Sequence, residues 1–494
     1  MLPRIIVSRQ FRALIQNTYG FMLGDDIAKW RLMECMLFGT RVDPVTGGVI
    51  AGTDILAAIE GKEQKARARH YNGEAFLTHL KAEGMKFDWW RHNVAAGRSR
   101  VLKPYPLPLD VQRAIVDELS HPLARQGAVY FDTGQPFDAK ARRAETRRQQ
   151  TAIQRQVAAY AHNGPYAGVE PAQHLLAYMN DLPSNRFTGL LQQMDMAYAA
   201  VDRITTHDPD QQARLQHQQR CILRNIESQP QPFYRPVERS VRIFGAYYNI
   251  TGLKREVRHA LTQGWYEVDL KQSQLAICAA SWPIPQVQTF LAQGRRIWSS
   301  LFEHFGLGET PEVKDIFKDA LYGTLFGMSE ESLQSGSRKR VQGQWFTDYV
   351  GLDVLLGRYG VIKGGAHFLA HPLIGAILVA RAAKMQAVIA AGGLETIFGQ
   401  WIEVMDDASA RSALVQEAQA MEMALLAPVI EQARHTKEWS ITLWQHDGFS
   451  LSLRDQAPAR ARALIKRLRK SVDRAAAKYG IITTLEVKDE AGAL

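Results

Sequence analysis

The chemistry-bearing residues of this chain are two aspartates with a lysine row between them. Asp269 ends the β-type run "YEVD", and Asp447 falls in "LWQHDGFSL", two apolar runs around a His-Asp-Gly tip. Strand-ending and turn-forming aspartates are common, so each taken alone is compatible with a structural role. Converging on one sheet, two hard carboxylates are what a pair of Mg2+ ions requires. At a separation of roughly 3.5–4 Å such ions hold the attacking and leaving oxygens of an in-line phosphoryl transfer. The intervening stretch "PEVKDIFKDALYGTLFGMS" repeats Lys314, Lys318, Tyr322 and Phe326 every four residues, which in a helix stacks them on one face. A lysine projecting over a carboxylate pair neutralises charge on a triphosphate. Gly323 and Gly327 follow the aromatic members of the row, although glycine costs a helix interior about 1 kcal/mol relative to alanine.

The elements that must position these residues are legible around them. "GWYEVDLKQSQLAICAA" starts as a strand and continues in a helix-compatible pattern, and residues 283 to about 395 are dominated by helical patterns. "SITLWQHDGFSLSLRD" reads as a hairpin, with Asp-Gly as a favoured tight-turn pair. "PARARALIKRLRKSVDRAAAKYG" is a basic amphipathic helix, read as a solvated face, and "IITTLEVKD" is a last strand. The C-terminal half is therefore α+β, a small sheet interrupted by a large helical insertion. Residues 1 to about 140 are mixed, and the proline run "KPYPLPL" marks a boundary between two small subdomains. "KFDWWRHNVAAGRSR" offers either a core tryptophan pair or aromatics that stack on single-stranded bases. "DAKARRAETRRQQTAIQRQ" is a charged helix with Lys140, Arg142, Arg143, Arg147, Arg148 and Arg155, either a solvated face or a phosphate-tracking one. Helical pattern then runs to about residue 228, where "SQPQPFYRP" breaks it.

The 494 residues are 46% apolar, enough for real cores in two to four domains, and carry a formal charge of +10, a field attractive to polyanions. Cys35, Cys221 and Cys278 match no C-x-x-C spacing, so a reducing, cytoplasmic setting is expected. The most apolar run, "HPLIGAILVARAAKMQAVIAAGG", is interrupted by Arg381 and Lys384 and reads as a buried or amphipathic helix rather than a membrane span. The N-terminal "MLPRIIVSRQFRALIQ" has arginines scattered among its apolar residues and makes a poor signal peptide.

"VDLKQSQLAICAASW", "KDIFKDALYGTLFGMS" and "LWQHDGFSL" resemble, in order, motifs A, B and C of the family A (Klenow-type) DNA polymerases. "RIFGAYYNITGLKREVRHAL" resembles the family's approach to motif A, "LETIFGQWIEV" and "RSALVQEAQAMEM" the palm segment and helix that contact primer–template, and "IITTLEVKDEAGAL" its closing strand. The resemblance covers about residue 240 to the end. It implies a right-hand polymerase: a thumb-like region over 141–240, palm over 241–282 and 396–494, fingers over 283–395, and an extra N-terminal region over 1–140. It further implies Asp269, Asp447 and the Leu270 carbonyl as ligands of two Mg2+ ions, with Mn2+ as a substitute. Lys318 would face the triphosphate as a catalytic residue, with Lys314 beside it. Tyr322 and Phe326 would meet the base and sugar, and Arg242, Asn249, Gly327, Gln416 and His446 the primer–template. The implied partners are a DNA primer–template, dNTPs and accessory replication proteins, with no membrane, in a plasmid, phage or other mobile-element setting.

Three departures from the family pattern bear on sugar choice. Gln274 stands five residues after Asp269 where a glutamate is usual, Phe326 replaces the tyrosine that holds that glutamate, and Gly448 replaces a motif C acid. Losing one hydrogen bond is worth about 0.5–1.5 kcal/mol, roughly three- to twelvefold in a rate ratio. Weakened rejection of NTPs is therefore expected. A primase-polymerase or single-subunit RNA polymerase is one alternative, and a catalytically silent DNA-binding replication factor is another. Residues 1–140 contain no Asp-x-Glu, so no 3′–5′ proofreading is expected.

Overall fold

The computed structural model describes residues 4–41, 43, 48–62, 71, 73–92, 99–104, 107–123, 127–161, 166–206, 208–237, 240–246, 249–341, 344–454 and 457–487. The chain forms two compact units. The first comprises Met1–Ala158, Ala177–Arg235 and Phe244–Gly264, and the second Ala159–Leu176, Pro236–Ile243 and Trp265–Leu494.

In the first unit, helices Arg9–Leu23, Ile27–Phe38 and Leu109–Glu118 accompany an antiparallel sheet ordered Val49–Gly52, Ser99–Pro104, Phe87–His92. The opening helix starts where Ser8 Oγ accepts the Phe11 amide, satisfying one of the donors a helix start leaves free. The proline run does not divide this region. Val111, Ile115 and Leu119 beyond it bury into the same cluster as Phe11, Trp30, Phe38, Leu102 and Phe131, because their spacing of four presents one apolar stripe to that core. Trp89 is half-buried and packs against the cluster, while the Trp90 side chain and residues 93–98 of that stretch lie outside the described ones. Buried Arg224 donates to Glu227 at 3.1 Å and to the His121 carbonyl at 3.0 Å, tying helix Pro209–Ser228 to the 118–123 segment. The charged helix Ala139–Ala161 has mixed roles. Arg142 bonds the Glu227 carbonyl and Arg148 pairs with Glu145, whereas Lys140, Arg143, Arg147 and Arg155 are exposed.

The second unit is built on strands β1 (Tyr266–Leu270), β2 (Trp439–Trp444), β3 (Gly448–Leu453) and β4 (Leu485–Val487), antiparallel in the order β2-β3-β1-β4. Helix α1 (Ser273–Ser281) follows β1. Helices α2 (Pro311–Leu325), α3 (Pro372–Ala390) and α4 (Asp407–Arg434) come before β2, and α5 (Pro458–Lys478) lies between β3 and β4. α4 packs on α1, α3 and α5. The Trp444 and Phe449 rings stack across the hairpin at 6.0 Å, the cross-strand contact that stabilises such pairs. The region that reads as helical also holds a hairpin, Gly336–Val341 with Gln344–Val350. Its base is pinched by glycines: a Cβ on Gly351 would lie 2.3 Å from the Gly336 nitrogen. α3 is long and apolar enough to cross a membrane by length and composition. It is less buried than its sequence suggests, covering Leu373, Ile374, Ile377 and Val388 and leaving Val379 exposed. α5 buries Leu464, Ile465, Leu468 and Val472 and turns Lys466, Arg467 and Lys470 to solvent.

Leu451 is fully buried on β3. Leu451→Ala should destabilise the second unit by about 2–5 kcal/mol, seen as a lower denaturant midpoint, with exposed Val379→Ala as a near-neutral control.

Candidate active site

The two aspartates come together because of strand register. Asp269 on β1 pairs with Gly448 on β3, and the Leu270 amide donates to the Asp447 carbonyl at 2.9 Å. The carboxylates therefore stand at one end of neighbouring strands. Ser273, at the start of α1, donates Oγ to Asp447 Oδ2 at 2.9 Å. The turn into α1 runs through Gln272 in the left-handed region (φ 50°), whose Oε1 accepts the Ile297 amide at 2.7 Å.

The His-Asp-Gly tip differs from the Asp-Gly turn expected from sequence. Its left-handed residue is His446 (φ 70°), while Gly448 is already in the strand. Glycine is required there for another reason. A Cβ at 448 would lie 2.6 Å from Asp269 Oδ1 and 2.9 Å from the Val268 carbonyl, so any side chain, acidic or not, would displace the carboxylate. His446 is pushed down to about 4 by burial and then by the Arg242 charge, which keeps a neutral imidazole beside Asp447 at ordinary pH.

α2 is launched by Thr310, whose Oγ1 accepts the Val313 amide, with Pro311 in the first turn. Lys314 and Lys318 are exposed, and Lys318 Nζ lies 5.9 Å from the Tyr322 ring centroid. The Tyr322 hydroxyl is held well above its ordinary range by burial, then by Asp447, Asp269 and Glu422. Tyr322 thus stands within the field of both aspartates. Phe326 stacks on Tyr322 at 6.0 Å and 17°. The helix ends at Leu325, and Phe326 is its cap residue rather than a further helical turn. Gly327 follows at φ +97°, and the Met328 amide reaches back to the Gly323 carbonyl at 2.8 Å, the Schellman pattern that selects glycine. The Arg411 stem covers Gly327 so closely that a Cβ there would lie 2.2 Å from its Cδ.

One acidic residue escaped the sequence reading. Glu422, on α4 and 2% exposed, accepts Arg242 Nε on Oε1 at 3.0 Å and Arg242 Nη2 on Oε2 at 2.7 Å. Gln274 Nε2 adds a third bond to Oε2 at 2.5 Å. Burial raises the Glu422 carboxyl to about 7 against the lowering by Arg242, and Asp447 raises it further. A glutamate in an alanine-rich helix, with its partner 180 residues upstream, carries no sequence signal of this kind.

The remaining residues named from sequence are placed as follows. Gln416 is half-buried, and its amide returns to Ser412. Asn249 belongs to the first unit, where it is buried and bonds Phe233, Ala246 and Thr251. Leu270 is buried between β3 and β4.

The donor set suits a hard cation. Two carboxylates at one strand end offer oxygen ligands, and with glycine at 448 no Cβ presses on Asp269 Oδ1. Mg2+ is usually held by one or two carboxylates together with substrate phosphates, and two aspartates stand at this strand end.

The sequence matches no protein-family model, and no curated protein matches it. Among solved structures, it is similar to the POL domain of Pol1 from M. smegmatis, in complex with DNA primer-template and dNTP. The TM-score is 0.38 at 14% identity, over 93% of this chain and 80% of that one. At that score the likeness carries no weight beside the geometry.

Gly448→Ala should cost about 1–3 kcal/mol through overpacking, seen as a lower melting temperature. Helical Gly375, where an added Cβ finds its nearest neighbour at 4.0 Å, should gain up to about 1 kcal/mol as alanine.

Proposed function

We propose that the chain is a template-directed nucleotidyltransferase, a DNA-dependent DNA polymerase of family A type that extends a primer with dNTPs and does not proofread. The observation that carries this reading is the pairing of Asp269 with Gly448 beside the Leu270–Asp447 hydrogen bond, with Tyr322 of α2 in the field of both carboxylates. Palm, fingers and thumb-like regions are assigned over the ranges expected from sequence.

When bound, two Mg2+ ions would supply charge stabilisation for an in-line attack of the primer 3′-hydroxyl on the α-phosphate. Asp269, Asp447 and the Leu270 carbonyl are the residues to hold them. Ser273 fixes the Asp447 rotamer through its hydroxyl. Lys314 and Lys318, exposed on α2, neutralise triphosphate charge, and Lys318 is the residue to protonate departing pyrophosphate. Tyr322 and Phe326 present stacked faces to the base and sugar.

A second reading, use of NTPs by a primase-polymerase or RNA polymerase, is raised by Gln274 and by Phe326, which carries no hydroxyl to hold the residue at 274. The bond from the Gln274 amide to Glu422 on α4 counts against it, because the residue at the sugar position is tethered without that hydroxyl. A silent DNA-binding factor is disfavoured by the retention of both aspartates and Lys318.

Primer extension by the purified chain tests the reading. Asp447→Asn should lower dNTP incorporation by about 10²–10³-fold or more while the protein stays folded and binds primer–template. Parallel reactions with NTPs, with and without primer, decide the sugar: efficient dNTP extension with no NTP product removes the second reading. Undiminished extension by Asp447→Asn removes the first.

A further inference from the structure

We propose that Glu422 is a positioning residue: by holding the Arg242 guanidinium it keeps that charge off Asp447 and leaves the Asp447 carboxylate for a divalent cation. The inference rests on the reading of Asp269 and Asp447 as a cation-binding pair.

The geometry points this way from three sides. The Arg242 fork meets Glu422 edge-on, with Nε and Nη2 on separate carboxylate oxygens at 3.0 and 2.7 Å, the bidentate arrangement that fixes a guanidinium in orientation as well as distance. Arg242 is nevertheless within electrostatic reach of Asp447: burial works against the guanidinium charge, and Glu422 and then Asp447 more than offset it. The Asp447 carboxylate itself takes the neutral Ser273 hydroxyl on Oδ2. A guanidinium this near two acids pairs with whichever is better placed, and a mostly buried arginine deprived of its partner is costly to leave unpaired. Removing the Glu422 charge should therefore send Arg242 to Asp447, where it competes with a cation.

Two further features keep the Glu422 carboxylate in place. It sits on α4, a helix begun by a reciprocal cap between Asp406 and Ser409. Gln274 donates to the oxygen already shared with Arg242 Nη2. The clamp thus joins the strand Ser240–Gly245, which carries Arg242, the start of α1 and the middle of α4 around one buried carboxylate.

The test is Mn2+ binding to the full chain without nucleotide, read by the electron paramagnetic resonance signal of free Mn2+. It is run at about pH 8, where a carboxyl of value about 7 is mostly ionised. Glu422→Gln should weaken Mn2+ binding by about five- to tenfold, as expected for an uncompensated charge nearby. Adding Arg242→Met to Glu422→Gln should restore the affinity, a rescue that a merely structural role would not give. Arg242→Met alone should bind at least as tightly as the wild type, so the inference can be tested even where Glu422→Gln does not fold. Wild-type affinity in a folded Glu422→Gln, failure of the double variant to recover, or weakened binding by Arg242→Met overturns it. Equal Mn2+ binding by the wild type and the Asp269→Asn/Asp447→Asn variant removes the carboxylate-pair reading itself, and the inference with it.

Discussion

The backbone hydrogen bond from Leu270 to Asp447, with Asp269 set opposite Gly448, is the constraint on which the site depends. Slipping β1 against β3 by one residue would set a residue with a Cβ, in place of Gly448, against the Asp269 carboxylate. The register is held on both sides, because β4 pairs Glu486 with Asp269 and Leu485 with Leu270. Gly448 turns that register into a usable geometry. It is the position where a Cβ would strike the Asp269 carboxylate, and the left-handed turn is left to His446.

Around this pair the second unit arranges charge in layers. Asp447 is bonded by Ser273, Glu422 is bonded by Arg242 and Gln274, and His446 stays neutral next to both Arg242 and Asp447. Burial costs Glu422 enough to raise it to about 7 even with a bidentate arginine. Such a buried pair does not explain itself through stability, since a well-packed apolar substitute often does as well. Its location next to the carboxylates gives it a reason in chemistry, namely control of where the Arg242 charge goes.

Much of the site could be read before the fold. A strand-ending aspartate, an aspartate at a hairpin tip and a four-residue Lys-Lys-Tyr-Phe row are local patterns, and the structure puts Asp269, Asp447 and Tyr322 in one electrostatic neighbourhood. Non-local features were not legible. Glu422 is defined by partners on a distant strand and on α1, and Gly448 by a neighbour across the sheet. The Gly336–Val350 hairpin depends on two glycines closing on each other. Local punctuation misled as well: the proline run looks like a boundary, but Leu102 before it and Val111 after it share one core. Gly327 had a local answer that its neighbours concealed, a helix stop with an arginine stem laid across it.

The central claim, that β1 and β3 hold Asp269 and Asp447 as a cation-binding pair, is tested most directly by anomalous diffraction from the chain with Mn2+ and a non-hydrolysable deoxynucleoside triphosphate. The account predicts Mn2+ between the two carboxylates, ligated also by triphosphate oxygens, with Arg242 still on Glu422. Mn2+ and nucleotide bound elsewhere, with Asp447 paired to Arg242, would contradict it.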